Sequence, residues 1–102
     1  MKNYEEKLEY LVRSQGLKCA SCGEKFKVNQ KIDLAHKVKA GKFNYKEYGD
    51  EVIDHVFNLA ATHSNSYKKE GCNDAQNMSR AAHPVEAQLL IDKIKADIIS
   101  NG

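Results

Sequence analysis

Apolar positions recur at helical spacing near the two ends of the chain and at strand spacing between them. Tyr4, Leu8, Leu11 and Val12 fall on one face of a helix predicted over residues 1–16. Asn3 is placed to cap it, Glu5 and Glu6 suit the positive end of its dipole, and Gly16 stops it. Pro84 opens a last helix, over 83–100, whose Ala87, Leu90, Ile91, Ile94 and Ile98 form one stripe. Between them, residues 25–38 alternate loosely and predict one or two strands, and residues 58–62 predict a second short strand. Residues 41–49, with Gly41 and Gly49, read as a loop, as do 64–71. Residues 52–57 fit neither period, and 73–80 predict a short helix. With no repeat, low-complexity tract or proline-rich linker, 1–102 is expected to be one α+β domain, its terminal helices closing the core.

The chain of 102 residues is 41% apolar, which leaves little surface to bury, and chains this small gain from a metal or a partner. No apolar run approaches the ~20 residues that span a bilayer, and Glu5, Glu6 and Glu9 do not suit a signal peptide. A cytoplasmic protein with no membrane partner is expected. Its three cysteines are an odd number, against a closed disulfide framework.

Net charge is only +2, but it is unevenly spread. Residues 17–46 carry eight lysines against Glu24 and Asp33, for +6, while 47–102 carry −4. Lysines alternating with Phe26, Val28, Ile32, Leu34 and Val38 suit either a solvated strand surface or a basic face for a polyanion. Lys37, Lys39 and Lys42 are the candidates for phosphate contact.

The densest chemistry starts at Cys19-Ala-Ser-Cys22-Gly23, a turn that aims two sulfurs at one point. A redox pair is the alternative, but such a pair normally opens a helix, and here lysines and a strand pattern follow. A structural zinc needs two more ligands, and His63 and Cys72 complete a Cys3His set. His36 ends the apolar run 32–36, where a rigid element can hold an imidazole.

Taken together, Cys19 and Cys22, His36, Asn58, and His63 with Cys72-Asn73 resemble the HNH endonuclease family over residues 17–80. The family pattern is a Cys-x-x-Cys knuckle, a strand ending in the catalytic histidine, a central asparagine before the second strand, and a second zinc pair followed by asparagine. His83-Pro84-Val85-Glu86-Ala87, running into a helix, is similar to one branch of small stand-alone members. Two features depart from the common form. His63 stands where a cysteine is usual, with an insertion before Cys72, and Ala35 stands where many members have the aspartate that binds the catalytic metal.

The resemblance implies a ββα-metal element beside a structural zinc knuckle, flanked by the terminal helices, and cleavage of DNA. It implies His36 as general base, Asn58 holding the loop that orients it, and Asn73 as a ligand of a catalytic Mg²⁺ or Mn²⁺. Asp33 and Asp74 are the candidates for that ion's acidic ligand. An imidazole near its neutral point can take a proton from water, and one divalent ion can bind both phosphate and leaving oxygen. The implied partner is DNA, with a homodimer or larger nuclease complex also open. Without an aspartate before His36, a non-catalytic zinc module that binds DNA or protein is the second reading. A small redox or metal-storage protein using Cys19 and Cys22 is the third.

Overall fold

The computed structural model describes residues 3–64, 71–77 and 83–101. Their order is α1 (Tyr4–Ser14), β1 (Ile32–His36), α2 (Lys42–Tyr48), α3 (Asp50–Ile53), a 3-10 turn (Val56–Asn58), β2 (Leu59–His63), a second 3-10 turn (Asp74–Gln76) and α4 (Pro84–Asn101). This is a small α+β fold built on a two-stranded antiparallel sheet. No helix among the described residues is long and apolar enough to cross a membrane.

α1 begins where its sequence says it should. The Asn3 side-chain oxygen accepts the Glu6 N–H at 2.9 Å, and the Glu6 carboxylate accepts from the Asn3 amide at 3.2 Å, a reciprocal cap. The strands pair Ile32 with His63, Leu34 with Ala61 and His36 with Leu59 on one face. Asp33 with Thr62 and Ala35 with Ala60 lie on the other. Leu11 of α1 buries against Leu59 and Ala61 of the first face, with Leu8, Val12, Phe26, Ile32 and Leu34 packed around them. A second cluster joins Val38, Val52 and Ile53 to Ala87, Ile91 and Ile94 of α4. Each terminal helix thus closes its own cluster.

β2 is buried along its whole length, so its outer edge needs partners. The Gln15 side-chain amide supplies them, accepting the Ala61 N–H at 2.9 Å and donating to the Ala61 carbonyl at 2.8 Å. Ala20 N–H also donates to Ala61 O, at 3.1 Å, which ties the cysteine turn to the sheet.

Residues 25–38 hold one of the one or two strands expected there, β1, and the earlier part contributes a single bridge between Lys18 and Lys25. Two expectations change. Residues 41–49 contain the helix α2 instead of a loop. Its inward Tyr45 and Tyr48, one turn apart, pack on the Val38–Ile53 cluster. That burial outweighs two flanking glycines and a helix too short to stand alone. The connection from β1 to β2, residues 37–58, is therefore a structured excursion, not a plain loop. In 73–80, the described residues form only the 3-10 turn, and 78–80 lie outside them.

Candidate metal centre and the His36 site

The cysteine turn, the end of β2 and the segment 71–77 converge on one point. The ligand atoms of Cys19, Cys22, His63 and Cys72 all lie within 4.8 Å of one another. Cys22 Sγ stands 3.4 Å from His63 Nδ1. A tetrahedral zinc with bonds of about 2.0–2.3 Å would set such an edge at ~3.5 Å. The donor set, three thiols and an imidazole, is that of a closed structural zinc site.

Several local features shape this cluster. Gly23 adopts φ 76°, a left-handed conformation that suits glycine, and donates its N–H to the Cys19 carbonyl at 3.0 Å. That closes the turn carrying both sulfurs. Ser21 Oγ donates to the Cys72 carbonyl at 2.6 Å and accepts from the Gln76 amide at 2.8 Å, joining the turn to the second half of the site. His63 is fully buried, and its Nε2 meets Gln30 Oε1 at 3.0 Å. That oxygen also accepts the Lys27 N–H at 2.9 Å, so Nε2 must be the donor. The Nδ1 lone pair is left facing the sulfurs, the tautomer a metal ligand needs.

The thiols are not equivalent. Burial pushes the Cys72 thiol up to about 12, with the neighbouring Cys19 and Cys22 sulfurs adding to it. Burial also acts upward on Cys19, but the N–H groups of Cys22, His63 and Ser21 that face its sulfur outweigh it and leave it lowered.

A second constellation lies at the other end of β1. His36 Nε2 is 2.9 Å from Asp54 Oδ1, and the same oxygen accepts the Tyr45 hydroxyl at 2.7 Å. Burial acts upward on the Asp54 carboxyl, but the bonds from Tyr45 and His36 outweigh it and hold it below the usual carboxylate range. The carboxylate raises Tyr45 in turn to about 12, chiefly through their hydrogen bond. An ionised Asp54 can only accept, so His36 Nε2 is a donor, and in the neutral ring the lone pair is on Nδ1. Nδ1 has no partner among the described residues.

Asn58 fixes the chain that leaves His36. It is 1% exposed; its Oδ1 accepts the Val38 N–H at 2.7 Å, and its Nδ2 donates to the carbonyls of Val38 at 3.0 Å and Ile53 at 2.7 Å. One buried amide thus clamps both ends of the α2–α3 excursion. Lys37 N–H, donating to the Asn58 carbonyl at 2.8 Å, adds a fourth bond.

The second histidine–aspartate pair is organised differently. His55 Nδ1 accepts the Phe57 N–H at 3.0 Å and Nε2 meets Asp97 at 2.8 Å. Both nitrogens are engaged, so His55 anchors the 3-10 turn to α4 and has no lone pair to offer.

Asp33 and His36 are not brought together, because they project from opposite faces of β1. Asp33 shares the face of Ala35 and is paired with Thr62, whose buried Oγ1 has no hydrogen-bond partner among the described residues. The turn Asp74–Gln76, just after Asn73, lies beside β1. The carboxylate that does meet His36 is Asp54, which no spacing rule singles out: it is 18 residues away, on an excursion whose path only the fold sets. Lys37, Lys39 and Lys42 follow His36 directly, on the chain leading into α2. Against known proteins, the chain matches no family model, no curated protein and no solved structure.

Proposed function

We propose that this protein is a metal-dependent endonuclease of the HNH type that hydrolyses DNA phosphodiester bonds. The observation that carries the reading is His36: an imidazole at a strand end, its Nε2 held by an ionised carboxylate and its other nitrogen without a partner among the described residues. In this reading Nδ1 takes the proton from the attacking water, and Asp54 stabilises the imidazolium that results. Asn58 keeps the strand end from drifting by fixing Val38, two residues on. The four-ligand centre is structural: zinc there ties the cysteine turn to β2 and to 71–77, and it takes no part in the chemistry.

The catalytic divalent ion of this reading needs oxygen donors. Asp33, on the face of β1 opposite to His36, does not serve an ion that acts with that imidazole, which leaves Asn73 and, next to it in sequence, Asp74. Mg²⁺ keeps several waters and asks for only one or two carboxylates. Such an ion supplies positive charge to the phosphate and the leaving oxygen.

Nicking of supercoiled plasmid in Mg²⁺ or Mn²⁺ tests the reading. Wild-type protein is expected to convert supercoiled to open-circular DNA. Folded, zinc-loaded protein that binds DNA without nicking it would instead favour a non-catalytic zinc module, the alternative to which Ala35 in the place of an acidic residue points.

Asp54→Asn is expected to slow nicking by about 10- to 100-fold, since the imidazole loses the charge that orients it. Tyr45→Phe, which removes one bond to Asp54 and leaves its charge, should cost less than tenfold. Equal rates for wild type and Asp54→Asn would remove Asp54 from the mechanism.

Lys37, Lys39 and Lys42 are expected to contact phosphates, not bases. Reversing their charge should weaken DNA binding for all sequences and flatten the dependence of log affinity on log salt, by up to ~0.9 for each phosphate no longer neutralised. An unchanged slope in filter binding would rule out a phosphate-binding role for these lysines.

A further inference from the structure

Phe43 lies on the outer face of α2 and is 72% exposed, more than the other exposed aromatics among the described residues, Tyr4 and Tyr10. Single exposed apolar side chains are ordinary on protein surfaces. What distinguishes this one is its setting. Residues 37–46 hold Lys37, Lys39, Lys42 and Lys46 and no acidic residue. None of the four has an ion-pair partner among the described residues. Lys18, Lys25, Lys27 and Lys31 have none either, but no exposed aromatic lies in their stretch, and the basic side chains of the terminal helices are engaged. Lys7 donates to the Asp54 carbonyl at 2.7 Å, Arg13 pairs with Glu9 at 2.8 Å, and Lys93 and Lys95 sit over the rings of Phe57 and Tyr48. Four of the eight unpartnered lysines among the described residues thus fall in the ten-residue stretch that carries the exposed ring.

α2 is also tied to the His36 site. Its inner residue Tyr45 donates to Asp54, which holds His36. Phe43 and Lys46 therefore project from a helix whose opposite side is bonded into the site.

We infer that the outer face of α2 is a stacking platform for an unpaired base, with Phe43 against the base and Lys39, Lys42 and Lys46 on the flanking phosphates. A phenyl ring offers a π-face and no hydrogen-bonding group, so it accepts any base without reading sequence. In an intact duplex the same contact would first cost unstacking. The face thus favours single-stranded or locally opened DNA. The inference rests on the nucleic-acid partner of the proposed function but not on its chemistry.

Anisotropy with a labelled single-stranded oligonucleotide, and with the same sequence as a blunt duplex, tests it in buffer free of Mg²⁺ and Mn²⁺. Phe43→Ala is expected to weaken single-strand binding by about 5- to 100-fold and duplex binding by less than about twofold. Phe43→Trp should bind the single strand at least as well as wild type. A 2-aminopurine in the oligonucleotide should be quenched by wild type and not by Phe43→Ala. Equal weakening on both probes, no change on either, or a shift in oligomeric state with binding intact would overturn the platform. Binding and quenching as expected, in a protein that never nicks plasmid, would sustain it while the nuclease reading fails.

Discussion

Serine in place of Cys19 or Cys72 is expected to unfold the protein, and a strong chelator should do the same to the wild type. Both cysteines are buried, and the four-ligand centre joins three stretches far apart in the chain: the turn at 19–22, the end of β2 and the segment at 71–72. The apolar core is split into two small clusters, so neither compensates for loss of the other's anchor. Zinc in sites of this kind contributes roughly 10–16 kcal/mol of apparent binding energy. A whole domain is stable by only ~5–15 kcal/mol. Far-UV circular dichroism with metal analysis reads the result: one zinc per chain in folded wild type, and loss of the helical signal with loss of zinc. A metal-free protein with its helix content intact would exclude a structural role for the centre.

His36→Ala should cut the nicking rate by about 10²–10⁴-fold, the contribution of a positioned general base. Zinc content and the urea midpoint should change little, because the ring is not a metal ligand and its loss leaves Asp54 bonded to Tyr45. Affinity for DNA should also hold. The companion variant is His55→Ala, which breaks the bonds to Phe57 and Asp97 and should lower the urea midpoint while leaving chemistry per folded molecule near wild type. The two histidines are thus expected to separate cleanly, one affecting rate and the other stability. Full nicking by His36→Ala, with none from folded His55→Ala, would place the base on the wrong element.

These two experiments concern residues of different legibility. Cys19 and Cys22 could be read directly from spacing, since a metal needs its ligands at fixed short intervals and the turn is local. The pairing with His63 and Cys72 across more than forty residues followed from the chemistry of completing a tetrahedron, and the structure brings all four together. Gln30, which fixes the His63 tautomer, carried no signal, because a supporting amide can come from any residue that happens to pass nearby.

Local physics determined the ends of the fold. The Asn3–Glu6 cap, the face Leu8, Leu11 and Val12, and the stripe Ala87, Ile91 and Ile94 each lie within a few residues of chain, so periodicity and capping chemistry sufficed for α1 and α4. The middle was decided elsewhere. α2 forms in a glycine-bounded stretch because Tyr45 and Tyr48 find a cluster contributed by α3 and α4, burial that no window on 41–49 contains. The same folding event carries Asp54 to His36 and leaves Asp33 on the far face of β1. Sequence determined which kinds of side chain are available for the proposed chemistry, since these are fixed by composition. Beyond the metal ligands, which of them meet was set by tertiary structure, since the His36–Asp54 contact, between residues 18 apart, depends on the path of the backbone, and here that path is held by Asn58.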